Sequence, residues 1–291
     1  MELSQVSRGI YEAHGTSASV LRRAKRLNMP EGHTIHAAAR KHDNMLKGRV
    51  VNLSSPQGRF VEGAQKLNGR ECIRVEAYGK HLVYRFVEHY YLHIHLGLFG
   101  RIKVHKRPIK DAKNSVRVRL ISATHVIDIS GPTICELLRA PEIEQLIDRI
   151  GPDPLREDAE PERVFHRIRN SRVPIGKLLM DQSVIAGIGN IYRTELLWRQ
   201  KLHPDIRGRD LNQKQLEALW DDAALLLNIG AKKNAILTTD IAIANPSKSR
   251  EKFNIFAQKA CPKCRGPITK IFINGRRAFI CALCQKQLPK R

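Results

Sequence analysis

The chain has 291 residues, 42% of them hydrophobic, which is enough for two domains with buried cores and excludes disorder throughout. Its 51 Lys and Arg residues against 28 Asp and Glu residues give a net charge of +23, which favours nucleic acid as the partner over a merely basic surface. No apolar run reaches the roughly 18 residues of a membrane helix and no signal peptide is present, so we expect no membrane partner and a cytoplasmic, nucleoid-associated protein.

The first elements are a leader, a helix and a set of strands. Residues 1–28 mix Ser, Gly and Arg without a hydrophobic period, and we interpret them as an unstructured leader. Apolar residues recur at helical spacing over residues 33–46, which predicts one helix that stops at Gly48. Over residues 49–130 the period changes to two, in short β-branched and aromatic runs. This pattern predicts an N-terminal antiparallel β-sandwich or barrel.

The second half of the chain has a helical period. Residues 133–151 begin a series of amphipathic segments that predicts consecutive helices, and residues 231–252 lack a settled period, which predicts a loop. Near the C-terminus, Asn274-Gly275 between two apolar runs predicts a β-hairpin. We therefore expect a multidomain α+β protein with domains at residues 29–132, 133–252 and 253–291.

Four cysteines near the C-terminus form two pairs. Cys261 and Cys264 are separated by two residues, as are Cys281 and Cys284, and sixteen residues lie between the pairs. This spacing is typical of a tetrahedral zinc site, because each pair can reach one ion from a single turn. Four thiolates leave no open coordination position, so we predict one structural Zn²⁺ without a catalytic role.

The C-terminal segment is also strongly basic. Residues 246–291 contain twelve Lys or Arg residues and one acidic residue, Glu251. Such a concentration on a small hairpin predicts a surface that faces phosphates. A solvated basic tail is the alternative.

Several short motifs gain weight from their order and spacing. Together they resemble the formamidopyrimidine-DNA glycosylase and endonuclease VIII family of base-excision repair enzymes over residues 29–288. The motifs are MPEGHTIH at 29–36, YGKHL at 78–82, HLGLFG at 95–100, GPDPL at 151–155, LLMDQSVIAGIGNIYRTELLW at 178–198 and the cysteine hairpin.

The resemblance implies a fold, an activity and a partner. The fold is an N-terminal β-sandwich followed by a helical domain that carries a helix-two-turn-helix motif and a zinc hairpin, with damaged DNA in the cleft between them. The activity is that of a DNA glycosylase and abasic-site lyase that acts as a monomer and cleaves the strand by β,δ-elimination.

The resemblance also implies that Pro30 is the nucleophile. In this family an N-terminal proline attacks the sugar through its secondary amine. A proline inside the chain is an amide and has no such nitrogen. We therefore expect translation to start at Met29, with residues 1–28 as a non-native extension, or else processing of a longer precursor. From position alone, Pro30 would simply open the first helix.

Further site residues follow from the same motifs. The resemblance implies that Glu31 carries protons and that Lys80 reaches the lesion sugar from a hairpin. It implies that Asn190 holds phosphate, helped by N–H groups at the start of the next helix and by close backbone approach at Gly187 and Gly189. Without the resemblance, Glu31 would be a first-turn carboxylate and Lys80 a solvated turn residue.

Two more features would contact DNA. The resemblance implies that Arg276 on the zinc hairpin clamps phosphates, with Arg277 as the rival if the register slips by one. Leu98 and Phe99 are the candidates for a wedge that fills the space left by an extruded base. An ordinary pair packed in the core at a strand end is the alternative for these two residues.

The chain departs from the family pattern at three places. Thr34 replaces a second glutamate, Leu98 replaces a methionine, and residues 128–133 lack the Arg-Phe pair of the oxoguanine-specific branch. These differences favour the endonuclease VIII branch, with oxidised pyrimidines, ring-opened purines or single-stranded lesions as substrates. Two other functions stay open, a non-catalytic zinc-containing binder of damaged or structured nucleic acid and a structural RNA binder.

Overall fold

The computed structural model describes residues 30–107, 111–245 and 252–287. Its first half consists mainly of strands. In chain order the elements are α1 Gly32–Leu46, β1 Arg49–Ser54, α2 Val61–Leu67, β2 Arg70–Tyr78, β3 His81–Phe86, β4 Tyr90–His95, β5 Arg101–Lys106, β6 Val116–Ile121, β7 His125–Ser130 and β8 Ile134–Arg139.

The second half consists mainly of helices and ends in a hairpin. Its elements are α3 Ala140–Arg149, α4 Pro161–Arg169, α5 Ile175–Leu178, α6 Asn190–Arg199, α7 Gln213–Lys233, α8 Asp240–Ala244, β9 Thr269–Ile273 and β10 Arg276–Ile280. No helix in the described part of the chain is both long and apolar enough to cross a membrane.

The eight N-terminal strands form one antiparallel sheet in the order β5-β7-β6-β1-β2-β3-β4-β8. Strand β1 joins its two halves, because residues 49–51 pair with β2 and residues 52–54 pair with β6. Side chains from both halves share one hydrophobic core with α1, which contributes Ile35, Ala39 and Leu46. The antiparallel sheet and the first helix predicted from the sequence are confirmed.

Strand β8 corrects one prediction. Residues 134–139 were expected to begin a helix, but they pair along their full length with β4, and α3 begins only at Ala140. The apolar run there suits either structure, and the free edge of β4 supplies backbone partners that decide in favour of the strand. Pro141 then stands in the first turn of α3, where proline is tolerated.

Two other segments also differ from expectation. Helix α2, which is only seven residues long, was not predicted from the sequence pattern. The loop predicted over residues 231–252 is wrong in part, because α7 continues to Lys233 and residues 240–244 form α8. The remainder of that loop includes residues 246–251, which lie outside the described residues.

The helices share a second core, and a buried carboxylate in α6 binds the segment that leads to the C-terminal hairpin. Glu195 of α6 is fully buried, and its two oxygens accept hydrogen bonds from the backbone N–H groups of Asn254, Ile255 and Phe256 at 2.8–2.9 Å. The predicted Asn274-Gly275 turn is confirmed, since both residues have positive φ, 49° and 70°, as a two-residue hairpin requires. The hairpin lies beside the start of α6, where the side-chain amide of Asn190 donates to the carbonyl of Arg277.

Candidate functional site

A cleft between the sheet and the helices brings together almost all of the catalytic and DNA-contacting residues expected from the sequence. Phe99 is the exception, and it lies next to the cleft in the chain. The expected residues that line the cleft are Pro30, Glu31, Lys80, Leu98, Asn190 and Arg276, and they are joined by Ile35, His95, Leu96, Gly97 and Gly189.

The side chain of Glu31 links the first domain to the second. It precedes α1 but gives that helix no side-chain cap; instead its carboxylate accepts hydrogen bonds from the N–H groups of Gly189 at 3.0 Å and Ile191 at 2.9 Å. The side chain is only 2% exposed, and burial raises the pKa of Glu31 above its usual range, although Lys80 and the α6 amides oppose this. The buried carboxyl group is therefore easier to protonate than an exposed one.

The glycines around Glu31 allow a close contact between the two domains that was not predicted from the sequence. The N–H of Gly32 donates to the carbonyl of Gly187 at 2.8 Å, and a Cβ on Gly32 would lie 2.6 Å from the Cα of Gly187. A Cβ on Gly189 would lie 2.3 Å from Cδ of Glu31. Gly187 and Gly189 thus permit close contact between the two domains, and Glu31 occupies N–H groups that were expected to assist phosphate binding.

Lys80 occupies the turn between β2 and β3, as expected. Gly79 before it has a φ of +58°, and the Lys80 ammonium donates to the carbonyl of Ile188 at 2.5 Å. Burial lowers the pKa of Lys80 to about 8, with the Glu31 carboxylate opposing and the Arg276 guanidinium reinforcing that change. Near neutral pH the group is a cation that loses its proton more readily than an exposed lysine.

Asn190 joins α6 to the C-terminal hairpin. Its amide nitrogen donates to the carbonyl of Arg277 at 2.8 Å, and its oxygen accepts from the guanidinium of Arg193 at 2.5 Å. Both ends of the amide therefore have protein partners. Arg276, not Arg277, lines the cleft.

Leu98 and Phe99 lie in the turn between β4 and β5. Their side chains are 45% and 75% exposed, so the alternative of a pair packed in the core is wrong. Two adjacent apolar side chains exposed beside a cleft are available to contact a bound partner.

Sequence reasoning missed a set of histidines beside the cleft. His95 lines the cleft, and its ring lies 4.9 Å from that of His81. His81 in turn is 2.9 Å from His93, which is 2.8 Å from the Glu136 carboxylate. Burial, reinforced by the other two histidines and Lys80, lowers the pKa of His81 to about 3. The alternation of histidines in β4 was the available signal, since residues two apart share a face.

The four cysteines expected to bind metal converge. Their Sγ atoms all lie within 4.8 Å of one another, with Cys261 3.8 Å from Cys284 and Cys264 3.3 Å from Cys281. Four thiolates about 2.3 Å from one Zn²⁺ lie about 3.8 Å apart, so the arrangement fits that ion. The indole N–H of Trp198 donates to the Cys261 sulfur at 3.4 Å, which ties the cluster to α6.

Comparisons with known proteins agree with this architecture. The model of the formamidopyrimidine-DNA glycosylase N-terminal domain matches residues 29–129, and the model of the formamidopyrimidine-DNA glycosylase H2TH domain matches residues 150–241. The crystal structure of Lactococcus lactis formamidopyrimidine-DNA glycosylase with abasic-site DNA has a similar fold. Its TM-score is 0.75 at 22% identity, over 88% of this chain and 100% of that one.

Curated relatives match over nearly the same part of the chain. Endonuclease 8 1 of Mycobacterium tuberculosis strain CDC 1551 is 40% identical over 267 residues, which are 88% of this chain and 100% of the relative. Endonuclease 8 of Salmonella typhi is 31% identical over 268 residues, 89% of this chain and 100% of the relative. With its two domain matches and its cleft, the chain belongs to the formamidopyrimidine-DNA glycosylase and endonuclease VIII family.

Proposed function

We propose that the protein removes oxidised bases from DNA and cleaves the strand at the resulting abasic site. The observation that carries this proposal is the meeting of Pro30, Glu31 and Lys80 in one cleft with Arg276 of the hairpin. These four residues come from three separate segments of the chain. A nucleophile, a proton carrier and two cations around one cavity suit attack on a deoxyribose flanked by phosphates.

The first step is attack of the Pro30 nitrogen on the sugar C1′. The bond from C1′ to the base breaks and the base leaves with a proton, while the sugar ring opens and C1′ becomes an iminium carbon bonded to Pro30. An α-amine titrates at about 7.7–8.0, so part of the population is unprotonated at neutral pH. Because only a terminal proline has this amine, we propose that the active form begins at Pro30.

Glu31 is suited to carry the proton for ring opening. Its carboxyl group is buried and its pKa is raised by that burial, which favours the protonated form that a general acid needs. The amides of α6 fix its orientation. The carboxyl group can donate its proton to the ring oxygen and later take one back.

Elimination would complete strand cleavage. The iminium makes the C2′ proton acidic, so its removal breaks the 3′ C–O bond and releases one phosphate end; a second elimination breaks the 5′ bond. This β,δ-elimination leaves a gap of one nucleotide. Lys80, protonated below pH 8, would neutralise the adjoining phosphate.

DNA recognition would use the exposed side chains around the cleft. Leu98 and Phe99 are exposed at its edge, where they can fill the stack after a base is extruded. Arg276 would contact phosphates beside the extruded nucleotide. A structural Zn²⁺ held by Cys261, Cys264, Cys281 and Cys284 would fix the hairpin that carries this arginine.

The names of two relatives and two features of the sequence support a choice of substrate class. Two similar proteins are named endonuclease 8, and the turn residue Leu98 together with residues 128–133 favours that branch. We therefore propose oxidised pyrimidines, ring-opened purines or lesions in single strands as substrates, and a monomer as the active unit.

Borohydride trapping tests the proposal. Protein that begins at Pro30 is incubated with an abasic-site oligonucleotide and borohydride, and the cross-linked residue is identified by mass spectrometry. We expect an adduct on Pro30, and no adduct at that residue for the 291-residue chain. Tight binding to abasic DNA without any adduct would instead identify a non-catalytic binder.

A further inference from the structure

Asp153 is a buried carboxylate at the junction of the two domains, outside the residues that line the cleft. The side chain is 3% exposed, and one oxygen accepts hydrogen bonds from His36 at 2.7 Å and from the backbone N–H of Gly79 at 2.6 Å. The other oxygen accepts from the N–H of Leu155 at 2.9 Å. One carboxylate therefore ties α1, the turn between β2 and β3, and the entry to the helical domain together.

The turn held by Asp153 is the one that carries Lys80. Gly79 has a left-handed φ of +58°, and a Cβ there would lie 2.8 Å from Cβ of Ala186 and 3.0 Å from the nitrogen of Gly187. The turn thus packs directly against the backbone that leads into α6. Lys80 completes the contact by donating to Ile188.

The charge of Asp153 has partners on each element that packs against it. Burial alone raises the pKa of Asp153, but hydrogen bonds from His36, Leu155 and Gly79 outweigh burial and place the pKa below its usual range. The carboxylate is therefore ionised at neutral pH. Removing it would leave the N–H of Gly79 without its acceptor in a buried place, which is costly.

We propose that Asp153, with His36, is a positioning residue that holds the Lys80 turn closed against the segment leading into α6. In this closed turn Lys80 is dehydrated and faces Glu31 and Arg276. The proposal rests on the proposed role of Lys80 at the lesion. Asp153 itself touches neither sugar nor base.

The environment of Lys80 can be measured without an activity assay. Trace acetylation of the DNA-free protein over a range of pH, followed by mass spectrometry, gives the pKa of Lys80. We expect a value of about 8 in the parent. In Asp153→Ala the turn opens to water, and the value moves toward the roughly 10.4 of an exposed lysine.

Single-turnover trapping on an abasic oligonucleotide, with parent and variant proteins that all begin at Pro30, gives the second readout. We expect Asp153→Ala to trap at least tenfold more slowly, with affinity for lesion-free DNA within twofold of the parent. Asp153→Asn keeps one acceptor for Gly79 and should recover part of the rate. Asp43→Ala is the matched control, because Asp43 also joins α1 to β2, through the N–H of Val75 at 2.7 Å, but does not hold the Lys80 turn.

The outcomes separate the two proposals. A folded Asp153→Ala protein whose Lys80 titration and trapping rate match the parent would overturn the positioning role. If this variant does not fold, Asp153→Asn and His36→Gln decide by the same two measurements. Failure of the parent to trap would refute the lyase function, while acetylation of Lys80 would still test the closed turn.

Discussion

The side-chain amide of Asn190 donates to the backbone carbonyl of Arg277, with 2.8 Å between the two atoms. The first residue of α6 thereby holds the start of strand β10. Since Arg276 precedes Arg277, this bond helps to place one guanidinium in the cleft and leaves its neighbour outside.

Two neighbouring substitutions test this placement. Arg276→Ala should weaken binding to abasic-site DNA by about tenfold, because a charge-assisted contact of roughly 1.5 kcal/mol is lost. Arg277→Ala removes the same charge and should weaken binding to damaged and undamaged DNA equally and by less. Fluorescence anisotropy at fixed salt gives both affinities, and equal losses for the two variants would contradict the assignment.

Phe99→Ala should slow cleavage of an abasic site in a duplex by about tenfold, because stacking on the gap left by the extruded base is lost. Cleavage of the same site in a single strand should hardly change, since no stack has to be filled. Leu225→Ala removes another exposed apolar side chain, 53% exposed against 75% for Phe99, from α7 and serves as the control. A similar loss on both substrates would argue against a wedge.

The cationic role of Lys80 predicts an alkaline limit. Its pKa is lowered by burial to about 8, so the ammonium is present below that pH and is lost as the pH rises through it. Affinity for abasic-site DNA should therefore fall between pH 7 and pH 9. Lys80→Arg keeps the charge throughout this range and should remove the decline in anisotropy titrations; a decline that persists would assign it to another group.

Buried histidines should make the fold sensitive to acid. Burial lowers the pKa to about 4 for His33 and about 3 for His42, against about 6.5 in the unfolded chain. The unfolded state then binds more protons below pH 6.5, so stability falls as the pH drops from 6.5 toward 4, by about 1 kcal/mol per pH unit for each group.

His42→Gln tests this dependence. Glutamine can keep a hydrogen bond to the Tyr84 hydroxyl, now 2.8 Å from His42, but takes up no proton. Urea unfolding at pH 4.5 and 7 should show a smaller loss of stability in acid than the parent shows. The exposed His89→Gln should behave like the parent.

Metal removal should release the hairpin and leave the sheet intact. Chelation should alter the fluorescence of Trp198, whose indole contacts Cys261, and should reduce DNA affinity at least tenfold. Trp220→Phe isolates this signal. Cys281→Ser should reproduce the effect, whereas Cys135→Ser, outside the cluster, should not; retained affinity in Cys281→Ser would contradict a structural zinc site.

Local patterns in the sequence predicted much of the fold. The two cysteine pairs and the Asn274-Gly275 turn are each defined by a few neighbouring residues, so their geometry could be predicted from the sequence. The structure of residues 134–139 could not be predicted in this way, because their apolar run suits a strand or a helix. Pairing with the edge of β4 decides in favour of the strand.

The motifs predicted which residues form the site but not which distant residues they contact. Glu31 binds amides about 160 residues away in the chain, and Asp153 binds Gly79 across 74 residues. Nothing local in the sequence reports such pairings. The glycines at 187 and 189 illustrate the same limit, because their lack of a side chain was evident but the group that needed the space was not.

The contact between Glu31 and α6 depends on whether the Glu31 carboxyl group is ionised. An ionised carboxylate at a helix N-terminus is held by the helix dipole, and that attraction disappears when the carboxyl group takes up a proton. Protonation of Glu31 therefore weakens this contact between the two domains, and deprotonation strengthens the contact. Under the proposed mechanism, the strength of the contact between the two domains that enclose the nucleotide would then change with each proton transfer.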